Sequence, residues 1–165
     1  RLAAEELIEK GCRNIVSLAG IQGRKMPADD RSIGFEEVCR EKKVNFVCLS
    51  YPPELYDRLD YTAFIDKILT QRPETDGVFA SSDIIASQVL QVASSRGIRV
   101  PEDLKVVGFD DSLIAAYTTP PLTTIHQPIK EMAQLAVDTL ISIKDEQSAK
   151  GCAIMNVSLV SRGTT

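Results

Sequence analysis

VVGFDDSLIAAYTTPPLTTIHQP (residues 106–128) runs from an apolar segment into two adjacent aspartates, then through a stiff Pro120-Pro121 step to Gln127-Pro128. The apolar run Val106-Val107, like Val78-Phe79-Ala80, suits a strand buried on both faces, as in a parallel sheet. Outward from this stretch, short β-rich runs alternate with helical patterns. Strands are predicted at 14–20, 45–50, 77–82, 105–110, 122–127 and 153–161, with helices near 30–42, 62–72, 83–96 and 129–144. This alternation predicts an α/β fold: a doubly wound, mostly parallel sheet with right-handed crossovers. Gly11 and Gly97 fall just past helices, and Pro128 falls in the first turn of the next one.

Size and charge narrow the possibilities. A chain of 165 residues buries roughly two thirds of the surface its unfolded form exposes. No apolar run approaches the ~20 residues needed to cross a bilayer. A net charge of −4 and a pI near 5.1, with basic residues scattered singly or in pairs, argue against nucleic-acid contact by this piece. Cys12, Cys39, Cys48 and Cys152 lie far apart without a CxxC pair, which suits reduced thiols rather than a zinc site. Two helices look incomplete. RLAAEELIEKG (1–11) reads as a helix entered partway along, which leads us to expect a chain cut from something longer. The pattern at 129–144 is apolar around most of its circumference and needs more partner surface than one sheet face offers.

In an open α/β sheet, ligands bind beyond the carboxyl ends of the strands. Reading off those ends yields Arg31 after the first strand's loop, and Tyr61 before the helix that follows the second. Ser82 and Asp83 follow the third strand, Asp110 and Asp111 the fourth, and Gln127 the fifth. A carboxylate accepts from two neighbouring hydroxyls, a guanidinium donates through a fixed fork, and an aromatic face packs on a sugar ring. The set therefore fits a sugar or nucleoside pocket.

Each member also has a plain structural reading. Asp110 and Asp111 can simply end a strand and cap a helix begun by Ser112 to Ala116, and Ser82 or Asp83 can cap the helix that follows it. Tyr61 can cover a helix start, Arg31 can form a solvated pair with Asp29 or Asp30, and His126 suits a structural role. Catalytic readings fare worse. No G-x-S-x-G elbow supports a Ser82–His126–Asp110 triad, and GIQGRK is not a phosphate-binding loop. Asp83, Asp110 and Asp111 as a magnesium site would want a nucleophilic aspartate after the first strand, where SLAG offers none. We expect no catalytic residues, no metal and no cofactor.

At these residues the chain resembles the effector-binding core of the LacI/GalR family of bacterial repressors. AAEELIEKGCRNIVSLAG, DRSIGFEEV, GVFASSDIIA, VPEDLKVVGFDDS, TTPPLTTIHQP and VSLVSRGTT carry the match and recur in the family's order over nearly the whole chain. The resemblance implies a parent with a helix-turn-helix headpiece, absent here, and a core of two periplasmic-binding-protein-like (type I) lobes. On that basis residues 1–11 form a helix of the N-terminal lobe and 12–127 the C-terminal lobe. Residues 128–150 form a crossover and helix of the N-terminal lobe, and 151–165 the final strand. Asp110 matches the family aspartate that grips effector hydroxyls, Arg31 the effector-contacting arginine in R-x-x-G-F, and Gln127 a position facing the cleft. Tyr61 falls where the family presents an aromatic wall. Where the family often has Ala-Asn-Asp, this chain has Ser81-Ser82-Asp83, a shorter hydroxyl in place of an amide.

The expected partners are a small effector (a sugar or sugar phosphate), operator DNA through the absent headpiece, and a second copy in a homodimer to which the apolar segment 84–93 contributes. The expected location is cytoplasmic, with no membrane contact. The alternative is a secreted sugar receptor of a transport system; four scattered cysteines and the terminal SLVSRGTT count against it.

Overall fold

The structure, a computed structural model, describes residues 1–144 and 153–165. Six strands form one sheet in the order β2-β1-β3-β4-β5-β6. They are β1 (Asn14–Ile21), β2 (Asn45–Tyr51), β3 (Gly77–Ala80), β4 (Lys105–Asp110), β5 (Thr123–His126) and β6 (Ser158–Val160). All neighbours run parallel except β6, which pairs antiparallel to β5. The predicted α/β class and mostly parallel sheet are observed.

Side-chain alternation along the strands builds two cores, one on each face. Val16, Leu18, Val78, Ala80 and Val106 face α4 (Thr62–Gln71) and α5 (Asp83–Ser95), meeting Ile65, Leu69, Ala86 and Val89. Ile15, Phe79, Val107, Phe109 and Ile125 face α1 (Leu2–Glu9) and α2 (Pro27–Glu41), meeting Leu7, Phe35 and Val38. Helix α1, which the resemblance places in a second lobe, here buries Ala3, Ala4 and Leu7 in the core of this sheet.

Several boundaries differ from the sequence expectation. Helix α2 begins before residue 30, because Pro27 opens it and the Met26 N–H donates to Asp29 Oδ2 at 2.8 Å. Strand β3 stops at Ala80, since Ser82 turns to cap α5 by accepting from the Ile85 N–H (3.4 Å). A short helix, α3 (Pro53–Arg58), was not anticipated. The strand expected at 153–161 shrinks to 158–160; residues 153–157 pair with no strand, and the part before them, with Cys152, lies outside the described residues. Between β4 and β5 lies a five-residue helix, α6 (Leu113–Tyr117). Helix α7 (Ile129–Lys144) buries none of its residues, leaving Ile129, Leu140 and Ile141 exposed.

Glycine is required at residue 108 by close approach. A Cβ there would stand 2.8 Å from Leu122 Cδ2 and overlap the Asp83 carboxylate. Gly108→Ala is therefore expected to destabilise the chain by about 1–3 kcal/mol, as overpacked cores do. A urea midpoint equal to that of the parent chain would refute the close packing of α5 on β4.

Candidate functional site

Three of the predicted residues meet at the carboxyl edge of the sheet. The chain leaves β4 through Asp110 and Asp111 with φ of 117° and 54°, two successive non-glycine residues in a region L side chains rarely adopt. This turn aims Asp110 across to β5, where Gln127 Nε2 donates to Asp110 Oδ1 at 2.7 Å. Among the described residues, Gln127 alone donates to Asp110. From α2, Arg31 lays its guanidinium 3.7 Å from the centroid of Phe109 and donates to the Ser81 carbonyl at 2.7 Å. It makes no ion pair with Asp29 or Asp30 among the described residues.

The electrostatics of this pair are those of a partly dehydrated site. Burial pushes the Asp110 carboxyl above its ordinary value, while Arg31 and Gln127 work in the opposite direction and Asp83 adds to the rise. Burial likewise lowers Arg31, opposed by the charge of Asp110. A carboxylate, a guanidinium and an amide within one polar corner can hold vicinal hydroxyls or a small anionic group.

The other predicted residues sit apart from this corner. Asp83 is 1% exposed, and both its oxygens accept from the protein. Oδ2 takes the Ser112 N–H (2.7 Å) and hydroxyl (2.9 Å), and Oδ1 takes the Thr124 hydroxyl (2.5 Å). Ser82 caps α5. Tyr61 is buried at the start of α4, its ring packed on Tyr51 and lining a separate cavity. Asp111 is held by Arg162 Nη2 (2.6 Å) and by His126 Nδ1 (2.9 Å). Sequence reading did not single out Phe109, the platform for Arg31, or Arg162. Phe109 precedes Asp110 on the opposite face of its strand, a position that signals only core. Among the described residues no cluster of His, Cys, Asp or Glu could hold a metal ion, and no helix is long and apolar enough to cross a membrane.

With this geometry in view, similarity to known proteins is decisive. The family model described as "Periplasmic binding protein-like domain" matches residues 4–165. The chain belongs to the LacI/GalR family, within its periplasmic-binding-protein-like core. A ribose operon repressor from Halalkalibacterium halodurans is 38% identical over 87% of this LacI/GalR chain and 42% of its own length. The transcriptional repressor PurR of Aliivibrio fischeri is 33% identical over 99% of the chain and 49% of its own. A periplasmic binding protein/LacI transcriptional regulator from Alkaliphilus metalliredigens, solved with D-xylulofuranose, superposes with a TM-score of 0.84 at 29% identity, covering 99% of this chain and 61% of that one. The LacI/GalR chain thus spans about half the length of the curated relatives it matches.

Asp111 sets an acid limit on stability. Burial alone would raise its pKa, but the bonds from Arg162 and His126 outweigh burial and hold it below the ordinary value. A carboxyl that ionises more readily when folded adds stability above its unfolded pKa of about 3.9, and loses it as pH falls through the lowered folded value. Asp111→Asn should therefore cost about 2 kcal/mol at neutral pH. The difference from the parent should shrink on acidification below about pH 4. A difference that stays constant with pH, in denaturant titrations, would rule out this linkage.

Proposed function

We propose that the chain is the effector-binding part of a bacterial transcriptional repressor, with a sugar or sugar phosphate bound against Asp110, Arg31 and Gln127. The convergence of those three side chains beyond β4, α2 and β5 carries the reading. Asp110 accepts from two sugar hydroxyls, Arg31 donates to a third or to a phosphate, and Gln127 orients the carboxylate while offering its own amide. Ser82 and Tyr61 line the neighbouring cavity on the far side of the Ser81-Ser82 step and supply shape rather than charge. Asp83 acts from behind, holding the turn that presents Asp110.

A second lobe, outside the described residues, completes the cleft and covers the exposed apolar face of α7. Effector bound between the lobes shifts the balance of their relative orientations by no more than its differential affinity for the two states. That shift reaches operator DNA through a headpiece borne by another part of the protein, in a cytoplasmic homodimer. No reaction is catalysed. The curated relatives reported above are named as repressors, which favours this reading over a secreted receptor.

The test is calorimetric titration with a panel of pentoses, hexoses and their phosphates, using the protein that contains both lobes. Arg31→Ala should weaken binding of whichever sugar binds by about 10- to 100-fold, the worth of a hydrogen bond to a charged group. Asp110→Gly should do the same while leaving the fold as stable or more so, since glycine relieves the positive φ. Because burial raises the pKa of Asp110, affinity should decline on acidification at a higher pH than an ordinary carboxylate would dictate. Unchanged affinity in both variants would sink the assignment.

A further inference from the structure

His126 is the one histidine of the chain, and the Asp110–Arg31–Gln127 corner does not use it directly. Its Cα pairs with that of Asp110 in the last rung between β4 and β5. The side chains do not follow the rung but bond along its two diagonals. Asp110 Oδ1 accepts from Gln127 Nε2 (2.7 Å), and Asp111 Oδ2 accepts from His126 Nδ1 (2.9 Å). Each residue of the second bond is joined by one peptide to a residue of the first. The two bonds span the same gap between strand ends and form a single four-residue clasp.

Only one of the two bonds has an outside anchor. Arg162 Nη2 donates to Asp111 Oδ1 (2.6 Å) while its Nη1 donates to the Leu122 carbonyl (2.9 Å) and its backbone N–H to the Thr123 hydroxyl (2.9 Å). Asp111 is thereby pinned to the start of β5. Its carboxyl is held below the ordinary value by Arg162 and His126, against burial, so it stays ionised and can only accept. The proton between it and His126 therefore sits on Nδ1, which fixes the tautomer and orientation of the ring. Gln127 has no such anchor; apart from its bond to Asp110, its side chain makes no hydrogen bond among the described residues. The His126–Asp111 bond adds little to stability, because the His126 side chain is 45% exposed and exposed pairs contribute little. Its consequence is positional.

We infer that His126 is a positioning residue of the effector corner: its bond to Asp111 fixes the end of β5 and so aims the Gln127 amide at Asp110. What this gains in binding rests on the effector reading above; how Gln127 is held rests on the clasp alone. A side chain ordered before the ligand arrives does not have to be immobilised by it, and affinity rises by that saving. The chemistry required of residue 126 is one donor at the Nδ1 position. Asparagine supplies it, with its amide nitrogen two bonds from Cβ as Nδ1 is, whereas leucine keeps the branching and has no donor.

The clasp is read in the chain from the side-chain amide signal of Gln127 in nitrogen-15 NMR, assigned by its loss in Gln127→Glu. In His126→Leu that signal should move toward the position it takes in Asp110→Gly, where the acceptor is deleted. In His126→Asn it should stay near that of the parent. In the protein with both lobes, titrated with whichever sugar of the panel binds, His126→Leu should weaken affinity about 3- to 10-fold, the worth of one preordered side chain. His126→Asn should restore the parent affinity, and the urea midpoints of both variants should match the parent's. A Gln127 signal indifferent to His126→Leu would overturn the inference. So would unchanged sugar affinity in His126→Leu, or a loss that His126→Asn shares or that a lowered urea midpoint accompanies. A displaced Gln127 signal in a protein that takes no sugar would uphold the clasp and remove the effector reading instead.

Discussion

The carboxylate of Asp83, withdrawn from solvent at the start of α5, is the constraint on which the carboxyl edge of the sheet depends. A buried charge is tolerable only when its oxygens are satisfied. Ser112, from the turn after β4, and Thr124, from β5, together satisfy both. The same atoms therefore tie α5, the β4–α6 turn and β5 together at one point. The tight approach of α5 to Gly108 is the packing consequence, since no side chain on β4 could fit there.

With the turn tied from beneath, two residues can be held in a conformation they would not choose. Asp110 and Asp111 both carry positive φ. Asp111 is fixed from outside by Arg162 and His126, while Asp110 points to the open edge and keeps only Gln127 as a donor among the described residues. Adjacent carboxylates thus acquire opposite characters: one lowered in pKa by its partners, the other raised by burial. The structural role of the first sustains the availability of the second.

The C-terminal segment is part of the same device. β6 pairs with β5, Arg162 reaches Asp111, and Thr164 bridges the Thr123 N–H to the Val106 carbonyl. Residues 158–164 thereby brace the strand ends that bear the proposed site. Helix α7 has no such role among the described residues, and its apolar residues Ile129, Leu140 and Ile141 are exposed.

What the sequence by itself determined is the local part. Apolar runs of strand length set between helical patterns dictate a parallel sheet, because only strands covered on both faces are apolar throughout. Polar residues just past those runs had to stand at the carboxyl edge, as Asp110 and Gln127 do, while Arg31 reaches that edge from α2. Sequence set Asp110 apart from Asp111 only through the family resemblance, kept the buried Asp83 among the ligand-contacting candidates, and missed α3 and the cavity that Tyr51 and Tyr61 line. Tertiary structure decided these, because a carboxylate's role depends on who donates to it. The donors to Asp83 lie 29 and 41 residues away, and the partners of Asp111 lie 15 and 51 away, distances over which local pattern carries no information.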